Sequence, residues 1–100
     1  MRAPPSRDVT LADVVDTARR DFAATEVDAV LALLATYGVE PHEITPDRIR
    51  LGVLAIARGD GAALEKWVEW AKMDWRDVLF AVQKTYGASW EARILDGAGP

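Results

Sequence analysis

Apolar residues along this chain recur at three- and four-residue spacings, and they never alternate every second position over a strand-length run. That period puts side chains on one face of a helix, so the pattern predicts an all-α protein. The most informative stretch is Asp47 to Gly59, DRIRLGVLAIARG. Wound as a helix, it sets Ile49, Val53 and Ile56 on one side, with Gly52 among them, and Leu51 and Leu54 across the axis. A surface helix carries one apolar stripe; a helix with two is sandwiched between neighbours. The expectation is a compact bundle of about five helices around a central helix at residues 46–58, with the second, fourth and fifth helices packed on it.

Capping residues set the limits of the other elements. Thr10, with Asp13 three positions on, opens a first helix whose stripe is Leu11, Val14, Val15, Ala18 and Phe22, and Val9 and Val14 form a hydrophobic staple. Thr25, with Asp28, opens a second helix through Val27, Val30, Leu31, Leu34 and Tyr37 to Gly38; Ala23 and Ala24 leave open whether it continues the first. Thr45 caps the central helix, with Pro46 at its first position and Ile44 and Ile49 as a second staple. Asp60 opens a fourth helix, Gly61 to Lys72, that faces Leu64, Trp67, Val68 and Ala71 inward. Asp74 and Asp77 open a fifth, with Met73 and Val78 as a third staple and Trp75, Val78, Leu79, Val82 and Tyr86 buried before Gly87. Ser89 caps a short turn from Trp90 to Leu95. Residues 1–8 read as a disordered lead-in, 9–95 as one domain and 96–100 as a flexible tail. Thr36-Tyr37-Gly38 and Thr85-Tyr86-Gly87 close two helices alike; duplication and shared capping rules both account for it.

Composition narrows the function classes. One hundred residues, half of them apolar, suffice for one modest core. Cysteine is absent, which removes disulfides, thiol catalysis and Cys-based zinc sites. No apolar run is long enough to span a membrane, and a reducing cytoplasm is the default setting. The net charge of −4, with both signs interspersed, argues against broad contact with a phosphate backbone. A helix-turn-helix around Arg58-Gly59-Asp60-Gly61 lacks a recognition face, because Arg48, Arg50 and Arg58 diverge around their helix.

Three sets of residues could carry function. Glu40, His42 and Glu43 combine two carboxylates with the single imidazole, a set able to move protons or hold a ligand or metal. Against this, neighbouring residues in a turning segment point different ways. His42 also lies where a ring N–H can complement the end of the second helix. Lys72, Asp74, Arg76 and Asp77 form a dense charged turn, readable as a recognition spot or as helix capping. Trp70, Met73 and Phe80 fall off the inward stripes of their helices and belong to residue types enriched in interface cores; wrapping inside the bundle is the other reading. Ser6 and Ser89 lack the context of a catalytic nucleophile, so no catalytic residue, metal or cofactor is assigned.

Several stretches together resemble a family of small uncharacterised bacterial helical proteins. They are Tyr37-Gly38-x-Glu40-Pro41-His42-Glu43, Arg48-Ile49-x-Leu51, Gly59-Asp60 and Ala71-Lys72-x-Asp74-Trp75-Arg76-Asp77-Val78-Leu79. In that family a Tyr often stands at the position of Trp75. The resemblance covers residues 26–82 and implies a soluble helical protein; it implies no activity and no functional residues. The functional expectation is a non-catalytic protein-interaction or regulatory module with a protein partner or self-association, using Trp70, Met73 and Phe80. The alternative is a ligand- or metal-binding protein or small enzyme using the Glu40–Glu43 linker.

Overall fold

The structure, a computed structural model, describes residues 8–97. Residues 1–7 of the expected lead-in and 98–100 of the expected tail lie outside them. The described residues form α1 (Leu11–Asp21), α2 (Val27–Ala35), α3 (Pro46–Ala57), α4 (Gly61–Met73), α5 (Trp75–Tyr86) and α6 (Trp90–Leu95), with no strand among them. The fold is an all-α bundle. No described helix is long and apolar enough to cross a membrane.

Local chemistry accounts for three of the six described helix starts. At α1 the Thr10 hydroxyl accepts from the Asp13 N–H at 3.2 Å, while the Asp13 carboxylate accepts from the Thr10 N–H at 3.0 Å. Val9 packs on the core beneath this cap. The Asp60 carboxylate accepts from the N–H groups of Ala62 and Ala63 to start α4. Asp74, the one residue between α4 and α5, accepts from the Arg76 N–H.

Three starts differ from expectation, that of α6 because the Ser89 side chain caps nothing. α2 begins after Glu26, without a side-chain cap, instead of at Thr25. Buried Phe22 takes an extended conformation to reach the core, which breaks the helix and separates α1 from α2. Thr45 precedes α3 as expected, but its backbone is left-handed (φ +40°) and its hydroxyl caps nothing.

The centre is α3. It lies against α1, α4, α5 and α6, whereas α2 rests on α1 and α4. The expected place of α2 along α3 is thus taken by α1. Gly59 makes this possible: its φ is +81°, and a Cβ there would stand 2.8 Å from the Asp21 carbonyl oxygen at the end of α1.

Ile49, Val53, Leu54 and Ala57 of α3 join a large cluster with Val14, Ala18, Leu34, Leu64, Val68 and Val78. Leu51 and Ala55 join a second cluster with Val82, Tyr86, Trp90 and Ile94. Two apolar sides were expected, but Leu54 belongs with Ile49 and Val53, not with Leu51. Gly52 lets α5 approach closely, since a Cβ there would lie 3.1 Å from Val78 Cγ1 and 3.6 Å from the Trp90 ring.

Leu11, expected in the core stripe, is 57% exposed, and Ile44 and Met73 are exposed too, so neither of the latter acts as a buried staple residue. The reverse holds for Trp90. Expected only in a short terminal turn, it is fully buried and anchors α6 as a sixth helix on α3 and α5.

The two Thr-Tyr-Gly ends are also alike in space. Both tyrosines are buried, and each donates its hydroxyl hydrogen to a backbone carbonyl at 3.1 Å, Tyr37 to Ile44 and Tyr86 to Ala55. Each following glycine has positive φ.

Candidate functional site

The linker between α2 and α3 is a tight knot tied by three side chains. Glu43 is only 6% exposed, and its Oε1 accepts from the N–H groups of Gly38, Val39 and Glu40 at 3.0, 3.0 and 2.9 Å. The Glu40 N–H, followed by those of Gly38 and Val39, favours the ionised carboxylate and lowers its pKa against the opposing effect of burial. Burial, and next the Glu43 charge, push the Tyr37 phenol up to about 12. From α3, Arg50 donates to the carbonyls of Leu34 and Tyr37 and to the Asp47 carboxylate, at 3.0, 2.6 and 3.0 Å. The carbonyls at the end of α2 thus receive a guanidinium, that of Leu34 in addition to the Tyr37 N–H.

This geometry separates the residues that the sequence groups together. Glu43 points inward and spends an oxygen on backbone, while Glu40 and His42 face solvent. No group among the described residues hydrogen-bonds to the His42 ring, so it does not cap α2. Glu40, His42 and Glu43 therefore do not converge, and among the described residues no cluster of three or more His, Asp or Glu could hold a metal ion.

The charged turn is likewise spent locally. Asp74 and Arg76 form a two-pronged pair, Nε to Oδ1 at 2.9 Å and Nη2 to Oδ2 at 3.1 Å. This side-chain bond first, and the Arg76 N–H second, lower the Asp74 pKa; the same pairing raises that of Arg76. Lys72 pairs with Glu69 on its own helix at 3.5 Å. Asp77 is exposed in the first turn of α5, and its N–H donates to the Asp74 carbonyl.

Trp70, Met73 and Phe80 lie on the surface, 44, 82 and 73% exposed. Helical register explains why. Met73 falls opposite Leu64, Val68 and Ala71 on α4, and Phe80 falls opposite Val78 and Val82 on α5. Trp70 stands at the flank of α4, edge-on to the half-buried Trp67 at 5.1 Å between centroids, with the Lys66 ammonium 5.3 Å from its ring. The two helices pack on each other and on α3, so this set sits on a supported hairpin.

Two features were missed from sequence. Leu11, assigned to the core stripe, rims an apolar groove between α1 and α2 with Val15, Leu31 and Ala35, floored by Val14 and Leu34. Arg48, counted as a diverging surface charge, lies over the Trp90 ring at 5.6 Å and pairs with Glu91 at 2.9 Å. Trp90 Nε1 is buried with no hydrogen-bond partner among the described residues. The apolar spacing of Trp90 and Ile94 was the available signal for α6; nothing local marked Arg48 as its cover. No family model, curated protein or solved structure matches the chain.

Proposed function

We propose that this protein is a non-catalytic helical interaction module that docks another protein on the solvent face of the α4–α5 hairpin. The observation that carries the reading is the exposure of Trp70, Met73 and Phe80 on two helices that are otherwise well packed. Exposed singly, such residues are ordinary; three large ones on one hairpin are the composition of an interface core. Trp67 stands edge-on beneath Trp70, and the Asp74–Arg76 pair lies at the turn between the two helices. Of the titratable groups that first suggested chemistry, Glu43 holds backbone and Asp74 and Arg76 hold each other, while Glu40 and His42 face solvent apart from Glu43. The motif resemblance makes the bacterial cytoplasm the setting of this reading.

A photoreactive amino acid placed at position 80, and separately at Ala12 on α1, tests it in cells of the native host. A discrete adduct is expected at 80 and none at 12. No adduct at 80, or at 73 in a repeat, overturns the reading.

A further inference from the structure

We infer that Asp96 is a modification site, at which the folded chain isomerises spontaneously to isoaspartate while the same dipeptide at Asp60 stays intact. The chain holds two Asp-Gly pairs, Asp60-Gly61 and Asp96-Gly97. Glycine has no side chain to shield its nitrogen, so in either pair that nitrogen is open to the carboxyl before it. The nitrogen attacks Cγ of the aspartic acid, a Cγ–N bond forms, and the carboxyl hydroxyl leaves with the amide proton as water. Water then opens the succinimide ring at the main-chain carbonyl carbon of the aspartate. The bond from that carbon to nitrogen breaks, and the main chain now runs through Cγ. One water leaves and one enters, nothing is oxidised or reduced, and the mass is unchanged.

The fold treats the two pairs differently. Ring closure needs the carboxyl to turn back on its own main chain and the peptide after it to swing. At Asp60 the carboxylate Oδ1 is held by the N–H groups of Ala62 and Ala63, at 2.9 and 3.2 Å. The peptide that would swing there opens α4, which is seated in the core through Leu64, Val68 and Ala71. Attack at Asp60 must therefore undo a cap and move a packed helix. Asp96 has neither restraint. It is exposed, no hydrogen bond among the described residues holds its carboxylate, and no described element follows it. What must yield is the bond from the Gly97 N–H to the Ile94 carbonyl, at 3.0 Å, an acceptor already shared with Arg20 of α1 at 2.7 Å. Bonds at the end of a helix are among the first to open. Isomerisation adds a methylene inside the turn that this bond closes, where α1 grips the end of α6.

The test is to incubate the full chain in mildly acidic buffer made with heavy-oxygen water, digest it, and read the peptides by electron-transfer fragmentation. That fragmentation tells isoaspartate from aspartate by cleavage at the added methylene. Residue 96 is expected to take up one heavy oxygen. Isoaspartate should form there about tenfold faster than at 60, or more, since attack at 60 must first break a hydrogen bond to a charged group. The same incubation in denaturant frees both pairs, and the two rates are expected to converge. Asp96→Glu, which would have to close a larger ring, is expected to leave position 96 unmodified over the same time. Absence of isoaspartate at 96 in the folded chain overturns the inference, and so does formation at 60 as fast as at 96. A difference between the two sites that persists in denaturant also overturns it, because the fold would then not be its cause. Conversion at 96 without uptake of heavy oxygen excludes the succinimide and overturns it equally.

Discussion

A carboxylate as enclosed as that of Glu43 is tolerated because three backbone N–H groups converge on one of its oxygens. Glu43→Gln keeps the shape and removes the charge, and should cost about 2 kcal/mol at neutral pH, read from chemical denaturation. The pH dependence follows from the direction of the shift. The folded pKa lies below the ordinary 4.5, so the stabilisation is fully present above that value. It drains as the pH falls below 4.5, because the unfolded chain takes up its proton first. Wild type and Glu43→Gln should converge in stability on acidification; a gap that stays constant down to strong acid would contradict the assigned role. At the surface the expectation is the opposite. Phe80→Glu should change stability by no more than about 0.5 kcal/mol, read from the same denaturation.

At the scale of elements, α6 is the part whose weight its length conceals. Six residues cannot hold a helix alone, and it is the buried Trp90, covered by Arg48 and set against α3 and α5, that docks it. Trp90→Ala should cost about 3–5 kcal/mol, a large part of the stability of a domain this size. Gly52→Val tests the closeness of α3 and α5. Two methyl groups would enter where a single Cβ already reaches 3.1 Å from Val78, so overpacking of about 1–3 kcal/mol is expected. An unchanged thermal midpoint would mean that α5 can move away freely. Thr10→Ala, which removes half of the capping box, should cost only about 1 kcal/mol, because Val9 and Val14 still hold the start of α1.

For the molecule as a whole, α3 is the element that global unfolding must release. Its residues feed both apolar clusters, so neither can be dismantled while the other stays intact around it. Amide hydrogen exchange should therefore be slowest along Val53 to Ala57 and match the global free energy, with α2 and α6 faster. Equal protection across all helices would argue against a hub.

The sequence by itself determined the class, nearly every helix and the identity of the central one. Capping residues and 3.6-residue periodicity act within a few positions, so Thr10, Asp60, Asp74 and the two-sided Asp47–Gly59 stretch are legible without neighbours. Only the tertiary structure decided what depends on contacts distant in the chain. It placed α1 beside α3 and turned Leu11 out, because the angle at which two helices meet chooses which edge of a stripe is covered. It also turned Glu43 inward and His42 outward, since a linker has no periodicity from which direction can be read. Trp70, Met73 and Phe80 were divided between core and surface until the packing of the α4–α5 hairpin against α3 put them in solvent.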